Sequence, residues 1–271
     1  MNSSLVGLIM AISVFLTLAL LGVKNPLVFL DWHAALIVIG GTASAALLSF
    51  SSKNISLLFK VFIGRVLRDN QKHYSYVISE IVDIAKNYRT NSNYLAEVAP
   101  EIKNHFLKEG IEMMLEGGMS DKEIDMIMLK RAKTHYVRYE QDAHMFSTLA
   151  KFPPAFGLLG AVVGIVSLMQ GLGGADAIKT VGPAMATALV ATLYGIAIAN
   201  FIFIPVGENL GKFNKEDKIT RQMILDGMKM IRARKHPLLV EENLKSYLLP
   251  SERELVESTA KSAPSESKKA A

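Results

Sequence analysis

The chain has 271 residues, 50% of them hydrophobic and 20% charged, with a mean hydropathy of +0.26, a formal charge of +5 and a pI near 9.2. That balance points to membrane-spanning segments joined to a substantial water-facing part. It argues against a nucleic-acid partner, because the basic residues are interleaved with Asp and Glu and no zinc, RNP or glycine-rich phosphate motif accompanies them. Cysteine is absent, which excludes disulfides, thiolate metal sites and a cysteine nucleophile.

Four stretches are apolar for about 17 to 23 residues, the length a helix needs to cross a hydrocarbon core. They are Leu5 to Val23, Ala34 to Phe50, Phe152 to Leu172 and Ala184 to Val206. The first lacks the basic leader of a secretory signal and reads as a retained helix. Trp32, with Phe29 nearby, stands where an interfacial aromatic anchor belongs. Lys and Arg crowd the segment from Ser51 to Lys151 and the residues after Val206, whereas Lys24 alone serves the first short loop. Both large segments are therefore expected in the cytoplasm, and four crossings put both termini there too. The expected fold is all-α: a polytopic membrane protein with four transmembrane helices and a helical cytoplasmic domain. Its parts are helices 1 and 2 in 1–50, a cytoplasmic helical domain in 51–151, helices 3 and 4 in 152–206, C-terminal cytoplasmic helices in 207–250 and a disordered tail in 251–271.

Within the water-facing parts, Ile55 to Val66, Tyr76 to Tyr88 and Ile102 to Leu115 carry apolar residues at helical spacing. Gly117 and Gly118 then break the chain, and Ser120 with Glu123 forms a capping-box signature for a long helix from Asp121. No breaker precedes Pro153, so that helix is able to run straight into the third span. Asn214 to Arg234 reads as a further amphipathic helix, with Gly227 an internal weak point, and Val240 to Leu248 as a shorter one. From Ser251 no apolar period remains.

The third and fourth spans contain no Asp, Glu, Lys, Arg or His, so the chain has no group of its own there to bind a transported proton. They offer small residues instead: Gly157, Gly160 and Gly164, then Ala184, Ala188, Ala191, Gly195 and Ala199. Such stripes let helices approach closely. Thr187, Thr192, Tyr194 and Asn200 are the polar exceptions on the fourth span. Each hydroxyl has two readings, a bond to its own helix carbonyls or a place beside a wet path. Pro154 and Pro205 stand near the cytoplasmic span ends, where proline ends or bends a helix. The six histidines show no metal-ligand spacing, and there is no nucleophile paired with a base, so neither a metal site nor an enzyme is expected, and no cofactor.

Several runs resemble the MotA/PomA family of flagellar stator subunits, within the MotA/TolQ/ExbB superfamily: Ile39-Gly40-Gly41-Thr42, Pro154-Ala155-Phe156-Gly157-Leu158-Leu159-Gly160, Val181-Gly182-Pro183-Ala184-Met185-Ala186, Thr192-Leu193-Tyr194-Gly195 and Gly110 to Gly117. The likeness covers almost the whole chain up to the tail. It implies a bacterial inner-membrane protein whose copies form a ring, thought to be a pentamer, around single-span partners of the MotB/PomB type. Each partner brings the membrane Asp that takes the ion. Ion flow then turns the ring, whose cytoplasmic helices press on the rotor protein FliG.

The resemblance also implies roles for residues. Pro154 and Pro205 match the family's two functional prolines, Thr192 the hydroxyl beside the ion path, with Tyr194 next to it, and Arg89, Glu97 and Glu101 the charged rotor contacts. Sodium-driven relatives carry a Thr on the third span where this chain has Ala161, which tilts the expected ion towards protons. The competing reading is a TolQ- or ExbB-like energiser of envelope machinery. Those relatives look like three-span proteins with the large segment after the first span.

Overall fold

The computed structural model describes residues 3–21, 25–52, 55, 74–172 and 177–253. The amphipathic stretch expected at Ile55 to Val66 and the tail expected from Ser251 lie outside these, except for Ile55 and residues 251–253. Among the described residues the regular structure is helical throughout. Among the described residues three helical runs are long and apolar enough to cross a membrane, within Pro26–Ser49, Asp121–Gly171 and Val181–Arg232. The N-terminal stretch is helical over Ser3–Leu21. The chain divides into two compact units, Met1–Asn70 with Tyr139–Lys212, and Gln71–Arg138 with Phe213–Ala271.

The first unit begins with α1 (Ser3–Leu21) and a 3-10 turn (Pro26–Phe29) whose Leu27 N–H donates to the Asn25 side chain. Asp31 then caps α2 (Trp32–Ala35), which passes through a π segment (Leu36–Gly40) into α3 (Gly41–Ser49). Against these lie α8 (Phe152–Gly171) and α9 (Ala177–Ile198), the latter followed by a second π segment (Ala199–Phe203). Ala34, Val38, Val190 and Ala191 are buried together towards one end, and Ala46, Phe146, Leu149, Val206 and Leu210 towards the other. Gly41 allows the Phe156 ring to lie against the α3 backbone, since a Cβ there would stand 2.2 Å from Phe156 Cδ1.

The second unit holds α4 (Tyr74–Thr90), α5 (Tyr94–Val98), α6 (His105–Glu116) and α11 (Pro237–Lys245). It also holds parts of α7 (Asp121–Leu149) and α10 (Ile204–Arg232). Local signals set the ends of these elements. Asn104 accepts from the Phe106 and Leu107 N–H groups to start α6, and Gly117 closes it in the left-handed region at φ 71°. The capping box opens α7 as expected: Ser120 donates through N and Oγ to Glu123 Oε2 at 2.8 and 2.7 Å, and Glu123 N donates back to Ser120 Oγ. Those two donors hold the Glu123 carboxyl below its ordinary range. Pro237 at the first helical turn moves the start of α11 ahead of the expected Val240.

The core of this unit is apolar and closely packed, with Ile78, Ile81, Ile84, Leu107, Ile111, Met128, Met223, Ile224, Met228 and Ile231 almost fully buried. Charged pairs zip α7 to α10 beside it. Arg221 Nε donates to Asp217 Oδ2 at 2.6 Å, its guanidinium lies 4.6 Å over the Phe106 ring, and Nη2 sits 3.3 Å from His135 Nε2. Arg232, only 9% exposed, bonds Asp125 and lies 3.6 Å from Asp121.

Three sequence-based expectations need correction. The long helix from Asp121 does not run unbroken into the third span: it stops at Leu149, and α8 begins at Phe152 after a turn at Ala150 and Lys151. Pro153 and Pro154 lack the N–H groups that continuation would require, and they suit a first helical turn instead. The helix of the fourth span, conversely, does not stop at Val206 ahead of a separate helix from Asn214, because α10 runs continuously through Pro205 from Ile204 to Arg232. Pro205 cannot donate to the carbonyl of Phe201, and the wide π segment that ends at Phe203 leaves room for its ring. Gly227, finally, costs helix propensity but does not break α10. It lets Ile81 approach, since a Cβ there would stand 2.8 Å from Ile81 Cγ2. A Gly227→Ala variant therefore gains helix propensity yet overpacks the core, and a loss of roughly 1–3 kcal/mol is expected. Thermal unfolding of the purified protein checks this, with a lowered midpoint expected.

Candidate functional site

The apolar face shared by α8 and α9 is built from small residues on both sides. A Cβ on Gly157 would meet the Ala191 carbonyl oxygen at 2.9 Å, one on Gly160 the Ala191 methyl at 2.6 Å, and one on Gly164 the Ala188 methyl at 2.7 Å. On the opposite helix, a Cβ on Gly195 would stand 2.4 Å from the Pro153 carbonyl oxygen and 3.1 Å from Pro154 Cα. All but the last of these are closer than real Cβ atoms come, so the backbones touch because the side chains are missing. The glycine and alanine stripes thus have the packing role that their spacing allows.

Thr192 lies in this seam. Its hydroxyl proton is shared between the Ala188 carbonyl at 3.2 Å and the Gly157 carbonyl at 3.4 Å across the helix pair. Ala161, one helical turn beyond Gly157 on α8, is partly exposed and offers a methyl only. Pro154 packs against α9 opposite Gly195. Pro205 is exposed and lies ten residues after Gly195, about 15 Å along the helix run. The structure does not bring the two prolines together.

Tyr194 belongs to a different group from Thr192. Its hydroxyl donates to the Phe29 carbonyl and accepts from Asp31 N at 3.3 Å, away from the glycine seam. Beside it, Thr187 donates to the Asp31 carboxylate, which also receives the His33 and Ala34 N–H groups at 2.8 and 3.1 Å. Asp31 is thus tied to two residues of α9 from the far side of the sequence, and its side chain is 17% exposed. This acid was missed by a reading that began the second span at Ala34, whereas the apolar run in the structure reaches back to Pro26. Its one local signal was an Asp placed just before an apolar helical run, the pattern of an N-cap.

Arg89, Glu97 and Glu101 are exposed in the second unit, at the end of α4, on α5 and on the 3-10 turn Ala99–Glu101 after it. No ion pair among the described residues joins Arg89 to either acid. Glu97 accepts from Asn91 Nδ2 at 3.5 Å. Between them Tyr94 packs over α4 with its phenol on Asp83, and partial burial together with that carboxylate raises its pKa. Among the described residues no cluster of His, Asp or Glu is placed to hold a metal ion.

Two substitutions probe this geometry. Gly195→Ala forces a methyl against the Pro153 carbonyl and is expected to part α8 from α9, with loss of assembled complex on native gels. Gly182→Ala, with open space around it, is expected to leave assembly unchanged. Thr187→Val removes a hydrogen bond to a charged acceptor and should cost about 1.5–3 kcal/mol. A lower melting temperature of the purified complex checks it.

The pattern of the MotA/TolQ/ExbB proton channel family matches residues 98–223. The chain is 29% identical over 227 residues to the chemotaxis protein PomA of Vibrio alginolyticus, covering 84% of this chain and 87% of that one. To motility protein A of Bacillus subtilis it is 27% identical over 263 residues, 93% and 92% of the two chains. The solved flagellar MotAB stator complex from Bacillus subtilis superposes with a TM-score of 0.82 at 26% identity, over 94% of this chain and 99% of that one. The C. jejuni MotAB structure shares the fold, with a TM-score of 0.81 at 24% identity over 92% and 96% of the two chains. The long apolar helices, the small-residue seam and these likenesses agree: the chain resembles the MotA/PomA family of flagellar stator subunits over most of its length and carries helices fit to be embedded in a membrane.

Proposed function

We propose that this chain is the ring-forming subunit of a flagellar stator, which together with a MotB-like single-span partner forms an ion channel that converts ion flow into rotation of the ring and torque on the rotor. The observation that carries this reading is the α8–α9 seam. Its contacts are methyl groups, glycine backbone and one threonine hydroxyl, with no ionisable side chain. A helix pair of this composition cannot hold a proton, so the titrating carboxylate has to come from a partner helix. When that carboxylate is neutralised by an ion it tolerates the apolar wall, and when the ion leaves it does not. This alternation supplies the driving force for stepwise movement.

In this reading the protein lies in the bacterial inner membrane with four spans, α1 being the first, and with both termini and the large loop in the cytoplasm. Copies assemble as a pentamer around the partner. Pro154, seated on Gly195, couples the start of α8 to α9, and Pro205 marks the π-relieved point where the fourth span passes into α10. Arg89, Glu97 and Glu101 face outward as contacts for the rotor protein FliG. Protons are the transported ion: Ala161 offers a methyl and adds no oxygen, which leaves the Thr192 hydroxyl as the one side-chain oxygen in the seam and few ligands for a dehydrated sodium ion. Relatives named for motility favour this function over a TolQ- or ExbB-like energiser.

Rotation of surface-tethered cells tests the proposal in a strain lacking this gene and any second stator set. Intact but motionless flagella, restored by this gene with its partner and unaffected by removing sodium at fixed membrane potential, are the expected result. Normal rotation without the gene would sink the stator reading, and loss of speed on removing sodium would overturn the proton assignment alone.

A further inference from the structure

The end of α10 holds a backbone conformation that its residue type does not favour. Beyond Arg232 the chain closes in a Schellman motif: Lys235 N donates to the Met230 carbonyl at 3.1 Å and Arg234 N to the Ile231 carbonyl at 2.9 Å. This puts Arg234 in the left-handed region at φ 46°, and among the described residues it is the one non-glycine residue with a positive φ. Glycine fills such a position freely, whereas a β-carbon there crowds the following carbonyl. Glycine would keep both cap bonds, so what distinguishes arginine here is its side chain. That side chain reaches away from α10 to the turn between α4 and α5. Its guanidinium carbon lies 5.0 Å from the centre of the Tyr88 ring, and Nη2 donates to Ser92 Oγ at 2.8 Å. Tyr88 precedes Arg89 on the last turn of α4, and Ser92 follows it in the exposed turn 91–93. The grip therefore closes on both sides of Arg89. The body of α4 is seated without it, because Val77, Ile78, Ile81, Ile84 and Ala85 are already buried in the core.

We infer that Arg234 is a positioning residue for the rotor contact: it braces the exposed turn after α4 and so fixes where Arg89 is presented. The inference rests on the reading of Arg89, Glu97 and Glu101 as contacts for the rotor. A guanidinium suits this task, since its planar face stacks on a ring while its edge donates to a hydroxyl, a combination that the compact ammonium of lysine does not reproduce. A braced turn gives its charge a fixed direction, and complementary charges act on the orientation and rate of an encounter more than on its strength.

The test measures the torque of surface-tethered cells that carry this gene with its partner in a strain lacking every other stator set, alongside thermal unfolding of the purified complex. Arg234→Gly relaxes the backbone and removes the grip, so a midpoint close to the native one is expected together with a loss of torque. Arg234→Lys keeps the charge without the fork, and Ser92→Ala leaves Arg234 in place without its acceptor; both are expected to lose torque as well. Arg89→Ala is itself expected to lower torque, and adding Arg234→Gly to it is expected to cause no further loss, because Arg234 acts through Arg89. Native torque with Arg234→Gly overturns the inference, and a midpoint far below the native one does so too by making the role structural alone. Native torque with Arg234→Lys would make Arg234 a bare charge, and a further loss in the double variant would make it act apart from Arg89; either overturns the positioning role. Native torque with Arg89→Ala would instead overturn the rotor-contact reading on which the inference stands.

Discussion

The close approach of α8 and α9 is the constraint on which the membrane-facing unit depends. Between helices in lipid there is little hydrophobic gain, since the surrounding tails are as apolar as the side chains, so association rests on dispersion contacts between well-fitted surfaces. Here the fit is made by omission: Gly157, Gly160, Gly164 and Gly195 expose backbone where any other residue would force the pair apart. The same omission brings the Thr192 hydroxyl within reach of a carbonyl on the opposite helix. A wall built this way is smooth, narrow and without charge.

The second unit is held together differently. Its helices meet around isoleucine, leucine and methionine in water, where burial of apolar area is itself the driving force, about 25 cal/mol for each Å². Charged side chains then fix which faces meet, as Arg221 does by bonding Asp217 while its guanidinium covers Phe106. Glycine is used sparingly in this unit, where Gly227 admits Ile81 and Gly117 supplies the left-handed turn that ends α6.

Asp31 and Tyr194 join the start of the second helical run to α9. A carboxylate that receives two backbone N–H groups and a threonine hydroxyl has its charge well satisfied, although it stands at the end of an apolar run. The tie makes the turn before α2 part of the helix bundle rather than a free loop. It also separates Tyr194 from Thr192, two positions along one helix whose side chains point to opposite neighbours.

The sequence by itself determined the apolar runs, the amphipathic character of Tyr76 to Tyr88 and of Ile102 to Leu115, although the second helix starts only at His105 behind its Asn104 cap, the capping box at Ser120 and the absence of an acid in the α8–α9 pair. These depend on length, period and nearest neighbours, which a linear string carries directly. Only the tertiary structure decided that Gly157 faces Thr192, that Thr187 bonds an aspartate 156 residues away, that Pro205 is absorbed by a π segment and that Gly227 admits a contact without breaking its helix. Each of these turns on which atoms meet across long sequence separations or on a local change of helical pitch. Residue type sets what a side chain is able to do, and packing chooses the partner with which it does it.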